Sequence, residues 1–100
     1  MAGQVLITLT ASPAIEESMV DWLLQFESHA GFTSHRANGH SSRLEGLSLA
    51  EQVAGRKNQV HFQLHIPSED LPDFLYRLKK DFLGAGIHYW VAPLVDAGHI

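Results

Sequence analysis

From Gln59 to Ile66, within the stretch Asn58 to Pro67, apolar and polar residues alternate without a break. Val60, Phe62, Leu64 and Ile66 fall on one side of an extended chain, and Gln59, His61, Gln63 and His65 on the other. That two-residue period predicts a β-strand with one face in an apolar core. The opposite face then carries two imidazoles whose Cα atoms lie roughly 6.5–7 Å apart along the strand.

The same reading yields elements on both sides. Val5 to Thr10 is rich in β-branched residues and predicts a first strand, with Val5, Ile7 and Leu9 on one face. Ser12 can cap a following helix, Pro13 suits its first position, and Glu16 and Glu17 favour its positive end. Ile15, Met19, Trp22, Leu23 and Phe26 recur at helical spacing and read as core. His29-Ala-Gly31 marks the end of this helix, and Phe32 to Arg36 a short second strand. Between Ala37 and Asn58 no strand pattern is sustained. Within that excursion Ser48-Leu-Ala-Glu51 matches a capping box for a short helix, Leu49 to Ala54, stopped by Gly55. Loops this long in small domains are uncommon and are usually functional or mobile.

Pro67 ends the alternating strand, and Ser68 or Asp70 is placed to cap a second long helix that tolerates Pro72 in its first turn. Its stripe is Leu71, Phe74, Leu75, Leu78 and Phe82, with Lys79 and Lys80 in the last turn and Gly84 or Gly86 closing it. Ile87 to Val91 predicts a fourth strand, with His88 and Trp90 outward, broken at Pro93 and followed by a tail. The order is βαββαβ over residues 1–100, one domain of α+β class. Two helices must cover one face of a four-stranded antiparallel sheet, the ferredoxin-like sandwich, with the first and third strands central.

Composition narrows the function. The net charge of −4 argues against general binding to nucleic acid or an anionic membrane surface. No cysteine is present, which removes disulfides, thiolate metal sites and thiol catalysis. Neither a signal-peptide pattern nor a long apolar run occurs, so the expectation is a cytoplasmic protein that is not embedded in a membrane. Seven histidines in 100 residues are the one compositional anomaly.

Four of them, His35, His61, His65 and His88, fall on the predicted uncovered face of the sheet, beside Leu6, Thr8, Thr10, Thr33, Gln63 and Trp90. A face left to solvent would hold more lysine and glutamate, so this one is expected to be covered by further copies of the chain. Neutral imidazole ligates zinc, copper, nickel and cobalt, which makes the four histidines candidate ligands for a divalent transition metal. Hydrogen bonding across strands or at an interface is the plainer explanation of the same residues. Catalysis has thinner support: His61 or His65 could act as a general base, but no nucleophile motif or carboxylate partner stands beside them.

The βαββαβ order, the long excursion after the second strand and the ending Tyr89-Trp-Val-Ala-Pro93-Leu-Val-Asp-Ala together resemble the PII-like superfamily. The finer resemblance is to a small PII-like family encoded beside heavy-metal efflux pumps. It rests on Gly31-Phe-Thr-Ser34, Glu51-Gln-Val-Ala-Gly-Arg56, His88-Tyr-Trp-Val91 and Gly98-His99. The resemblance implies a homotrimer whose sheets pack around a shared core. It also implies that Ala37 to Asn58 is the partner-binding T-loop, begun by Gly39 and presenting His40, Arg43, Glu51 and Arg56, with an efflux pump or another protein as partner. The chain departs from the nucleotide-binding members, having only Leu83-Gly-Ala-Gly-Ile87 where they carry a basic, glycine-rich loop. That argues against an adenine nucleotide and for a metal, a smaller anion or protein contacts alone.

The expectation is a non-enzymatic, PII-like regulator linked to metal homeostasis. The alternatives are a dimeric ferredoxin-like oxygenase or isomerase, and an interaction module without a ligand.

Overall fold

The computed structural model describes residues 3–26, 31–40, 49–54 and 56–100. Four strands, β1 (Gln4–Ala11), β2 (Thr33–Gly39), β3 (Lys57–Pro67) and β4 (His88–Leu94), form one sheet in the order β2-β3-β1-β4. Every neighbouring pair is antiparallel. Helices α1 (Glu16–Leu24) and α3 (Leu71–Asp81) supply the apolar side chains that cover one face, and a short α2 (Leu49–Ala54) lies between β2 and β3. This is the expected ferredoxin-like sandwich with β1 and β3 at its centre.

The core follows from the two periods in the sequence. Val60, Phe62, Leu64 and Ile66 of β3 and Val5, Ile7, Leu9 and Ala11 of β1 are all buried. They meet Met19, Trp22 and Leu23 of α1 and Phe74 and Leu78 of α3. Trp22 anchors an aromatic cluster, its ring centroid 4.6 Å from Phe26, 5.4 Å from Phe74 and 5.7 Å from Phe82. Its indole N–H donates to the Asp81 carboxylate at 2.8 Å, joining α1 to the end of α3. Across the sheet edge the Arg36 guanidinium pairs with Glu16 at 2.7 Å. Because Arg36 is mostly exposed, that pair contributes at most about 1 kcal/mol.

Both long helices begin with a single 3-10 turn, Pro13–Ile15 and Ser68–Asp70. Ser12 caps the first as expected, its hydroxyl accepting from the Ala14 N–H at 3.3 Å. At the second neither Ser68 nor Asp70 makes a side-chain cap, a correction to the sequence reading. The Ser68 N–H instead donates to the Gly3 carbonyl at 2.8 Å, tying the start of the chain to this corner. After α3, Gly84 and Gly86 adopt φ of 79° and 76°, a backbone region that side chains with a Cβ rarely enter.

Strands β2 and β4 run well beyond their expected ends at Arg36 and Val91. Strand β2 continues to Gly39, with Ala37, Asn38 and Gly39 opposite Gln59, Asn58 and Lys57. The excursion is therefore shorter than Ala37 to Asn58, because ladder hydrogen bonds to β3 hold residues with little strand propensity of their own. Strand β4 passes through Pro93, which stands opposite Val5. An edge strand tolerates proline because its outer side has no partner to lose. Where α1 ends, the described chain stops at Phe26, and the expected terminator around His29 lies outside the described residues.

Candidate functional site

The sheet face away from α1 and α3 is built by the other half of the alternation. Strand register aligns its side chains in rows, and one row runs His35, His61, Thr10, His88 across all four strands. The next row holds Thr33, Gln63, Thr8 and Trp90. His61 is central: its ring centroid lies 5.1 Å from that of His35, inclined at 66°, and 6.1 Å from the Trp90 ring, nearly perpendicular at 86°.

Although neither α1 nor α3 covers this face, Thr8 and Thr10 are only 2% and 5% exposed, shielded within the central strand. Thr8 accepts from the Gln63 amide at 3.4 Å. The Thr10 hydroxyl, flanked in its row by His61 and His88, is buried without a hydrogen-bond partner among the described residues. His65 stands apart, opposite Leu6, with Nδ1 at 3.2 Å from the Gln4 side-chain oxygen. Four residues along β3 separate it from His61, roughly 13 Å at about 3.3 Å per residue.

No Asp or Glu occurs in any of the four strands. The face therefore offers imidazole, amide and hydroxyl groups without carboxylates, with Lys57 at one end. Among the described residues no three of His, Asp and Glu converge tightly enough to hold a metal ion. The four candidate ligands thus divide into a close pair, His35 and His61, a third in the same row, His88, and His65 in another row.

The loop candidates also separate. Gly39 is not the start of a loop but the last residue of β2, opposite Lys57. Gln59 lies over it, so a Cβ there would come within 2.7 Å of the flexible end of that side chain. His40 follows, exposed, and Arg43 lies outside the described residues. Glu51 sits in α2 and its carboxylate accepts the Asn58 backbone N–H at 2.5 Å. Exposed Arg56 donates its backbone N–H to the Glu51 carbonyl at 3.2 Å. By the opposite edge strand, β4, Leu78, Lys79, Phe82, Leu83, Ile87 and Tyr89 line a shallow groove. There the Lys79 ammonium lies 5.5 Å from the Tyr89 ring centre.

Sequence reasoning placed the right side chains on this face but missed two relationships, the single row through His35, His61 and His88 and the buried Thr10 hydroxyl. Both depend on strand register, for which no hairpin turn or bulge in the sequence gives a signal.

A sheet of this order, with two helices on one face, is the ferredoxin-like architecture shared with PII-like and CutA proteins. Within that class the chain belongs to the family described as protein of unknown function DUF3240, whose model matches residues 1–100. It is similar to the crystal structure of a DUF3240 family protein from Shewanella baltica OS155, at 22% identity and a TM-score of 0.80, covering 100% of this chain and 99% of that one. It is similar also to CPII, a nitrogen regulatory PII-like protein from Thiomonas intermedia K12 bound to ADP, AMP and bicarbonate. That likeness has 15% identity and a TM-score of 0.71, over 97% of this chain and 96% of that one. CutA1 from Shewanella sp. SIB1 matches at 12% identity and a TM-score of 0.70, over 97% and 86% of the two chains. No curated protein matches. Among the described residues, no helix is long and apolar enough to cross a membrane.

Proposed function

We propose that this chain is a PII-like regulatory protein that assembles as a homotrimer through its uncovered sheet face. A metal or small ligand bound at that face would change how the segment between β2 and β3 engages a protein partner. The observation that carries the reading is the face itself. It is uncovered in one chain, almost without formal charge, and bears three imidazoles in one row next to Trp90, which is 51% exposed. Large aromatic and neutral polar side chains with few charges are the composition of an interface core. The PII-like fold supports a regulatory role, and the resemblance to efflux-associated PII-like proteins supports a link to metal homeostasis.

The switching scheme is linkage: a ligand that favours one state of the segment shifts its population by the difference in its affinities for the two states. Glu51 and Arg56 are the described residues of that segment best placed for a partner, since they lie where α2 returns to the sheet. This reading assigns binding rather than turnover to the protein.

Native mass spectrometry of the metal-stripped chain tests it, alone and with zinc, copper, nickel, cobalt or ATP added separately. The expected result is a trimer that retains a metal and does not retain ATP. A dimer that turns over a quinone-like substrate would replace this reading with the enzymatic one.

A further inference from the structure

We propose that His35 and His61 form the nucleus of a transition-metal site completed by His88 of a neighbouring copy, an inference that rests on the assembly proposed above. Two imidazoles on one tetrahedral ion each place the ring centre about 3.2 Å from the metal, a bond of about 2.0–2.1 Å plus the ring radius. Their centres then lie roughly 5 Å apart at the tetrahedral angle. His35 and His61 stand at 5.1 Å, inclined rather than stacked. Small rotations about their side-chain bonds bring one nitrogen of each onto a common ion.

A second observation points to the same place. The Thr10 hydroxyl is next to His61 in the row, 5% exposed and without a partner among the described residues. A buried hydroxyl left unpaired costs about 1–3 kcal/mol. A water held on the metal offers the missing acceptor. The donor set fixes the class of ion: imidazole nitrogens, with no carboxylate in any strand, suit zinc, cobalt, nickel or copper and not magnesium or calcium.

One chain cannot finish the site, because no third ligand converges among the described residues. His88 occupies the same row but stands on β4, the opposite edge strand from β2. In a closed ring of three copies whose uncovered faces turn inward, each sheet brings one edge up to the opposite edge of the next. The β4 edge of one copy then approaches the β2 edge of its neighbour, which delivers His88 to the His35–His61 pair. His65, in another row and engaged with Gln4, takes no part.

The test is titration of the metal-stripped full chain with zinc by calorimetry and with cobalt(II) by visible absorption. One ion per chain is expected, with a tetrahedral cobalt spectrum. H35A, H61A and H88A should each weaken zinc binding at least about tenfold, T10V should weaken it roughly tenfold, and H65A should leave it within about twofold. His61→Asn, close in shape, repeats the measurement should the alanine variant fold poorly. Mixing H61A subunits with H88A subunits should restore part of the tight binding, since some interfaces then regain both ligands.

Unchanged zinc affinity in H35A and H61A, in a chain that remains trimeric, would overturn the metal site and leave the regulatory reading standing. No recovery on mixing would overturn the contribution of the neighbouring copy. A monomer by native mass spectrometry would overturn both the assembly and the shared site.

Discussion

His35 on β2 stands directly opposite His61 on β3, their ring centroids 5.1 Å apart. Neither side chain supports the core, which lies on the other side of the sheet in Phe62 and Val60. His35→Ala should therefore change the unfolding free energy of the metal-free single subunit, at a dilution where the assembly has come apart, by less than about 0.5 kcal/mol, the usual limit for surface substitutions. Urea unfolding at fixed chain concentration measures this. A loss of several times that amount would show that the pair is held for packing, and the metal reading would lose its geometric argument.

Trp22 and Asp81 make a different kind of contact. The indole N–H is part-buried and its acceptor is a carboxylate at 2.8 Å. Asp81→Ala leaves that donor in the aromatic cluster with no acceptor, which should cost about 1–2 kcal/mol. Asp81→Asn keeps a carbonyl oxygen in place and should cost less than half as much. Urea midpoints followed by tryptophan fluorescence compare the two. Equal losses would mean that the hydrogen bond contributes little and that Asp81 acts through its position at the end of α3.

The two faces of the sheet should answer mutation in opposite ways. Phe62 is fully buried, and Phe62→Ala should cost about 3–5 kcal/mol of folding stability through lost transfer energy and the cavity left behind. Trp90 is 51% exposed in the single chain and contacts His61 edge-on. Trp90→Ala should leave the fold of the subunit intact and weaken self-association, read by sedimentation as a shift toward smaller species. Wild-type assembly in Trp90→Ala would remove this face from the interface.

How much of this was legible in the sequence depends on the physical scale of each feature. Period-2 alternation in β3 and helical spacing in α1 and α3 act within one element, and every residue they placed in the core is buried or partly buried. The short helix Leu49–Ala54 was also legible as an element, while its expected cap Ser48 and stop Gly55 lie outside the described residues. Strand ends were not. Ala37 to Gly39 and Pro93 read as breaks, and they lie in strands because pairing with β3 and β1 is imposed from outside their own sequence. The candidate site divides in the same way. Alternation put His35, His61, His65 and His88 on one face, whereas only register shows that three share a row and His65 does not. The Thr10 hydroxyl, polar on a nominally open face, gave no hint that side chains of the neighbouring strands would bury it.

The segment between β2 and β3 returns to the sheet at a bond that can be watched directly. The Glu51 carboxylate in α2 accepts the Asn58 backbone N–H, and Asn58 stands opposite Asn38 at the end of the β2–β3 ladder. This contact couples α2 to the last rungs of the sheet, so its loss should free the local structure before it affects the core. A hydrogen bond to a charged group contributes about 1.5–3 kcal/mol, so Glu51→Ala should speed amide exchange at Asn58 by at least about tenfold. Exchange at Phe62, inside the sheet, should be unaltered. Glu51→Gln keeps an uncharged acceptor and should fall between the two. If a partner grips this segment in its closed form, Glu51→Ala should also weaken that binding without changing the core. Unchanged exchange at Asn58 would show that the strand ladder alone protects it, and α2 would then be free to move without disturbing the sheet.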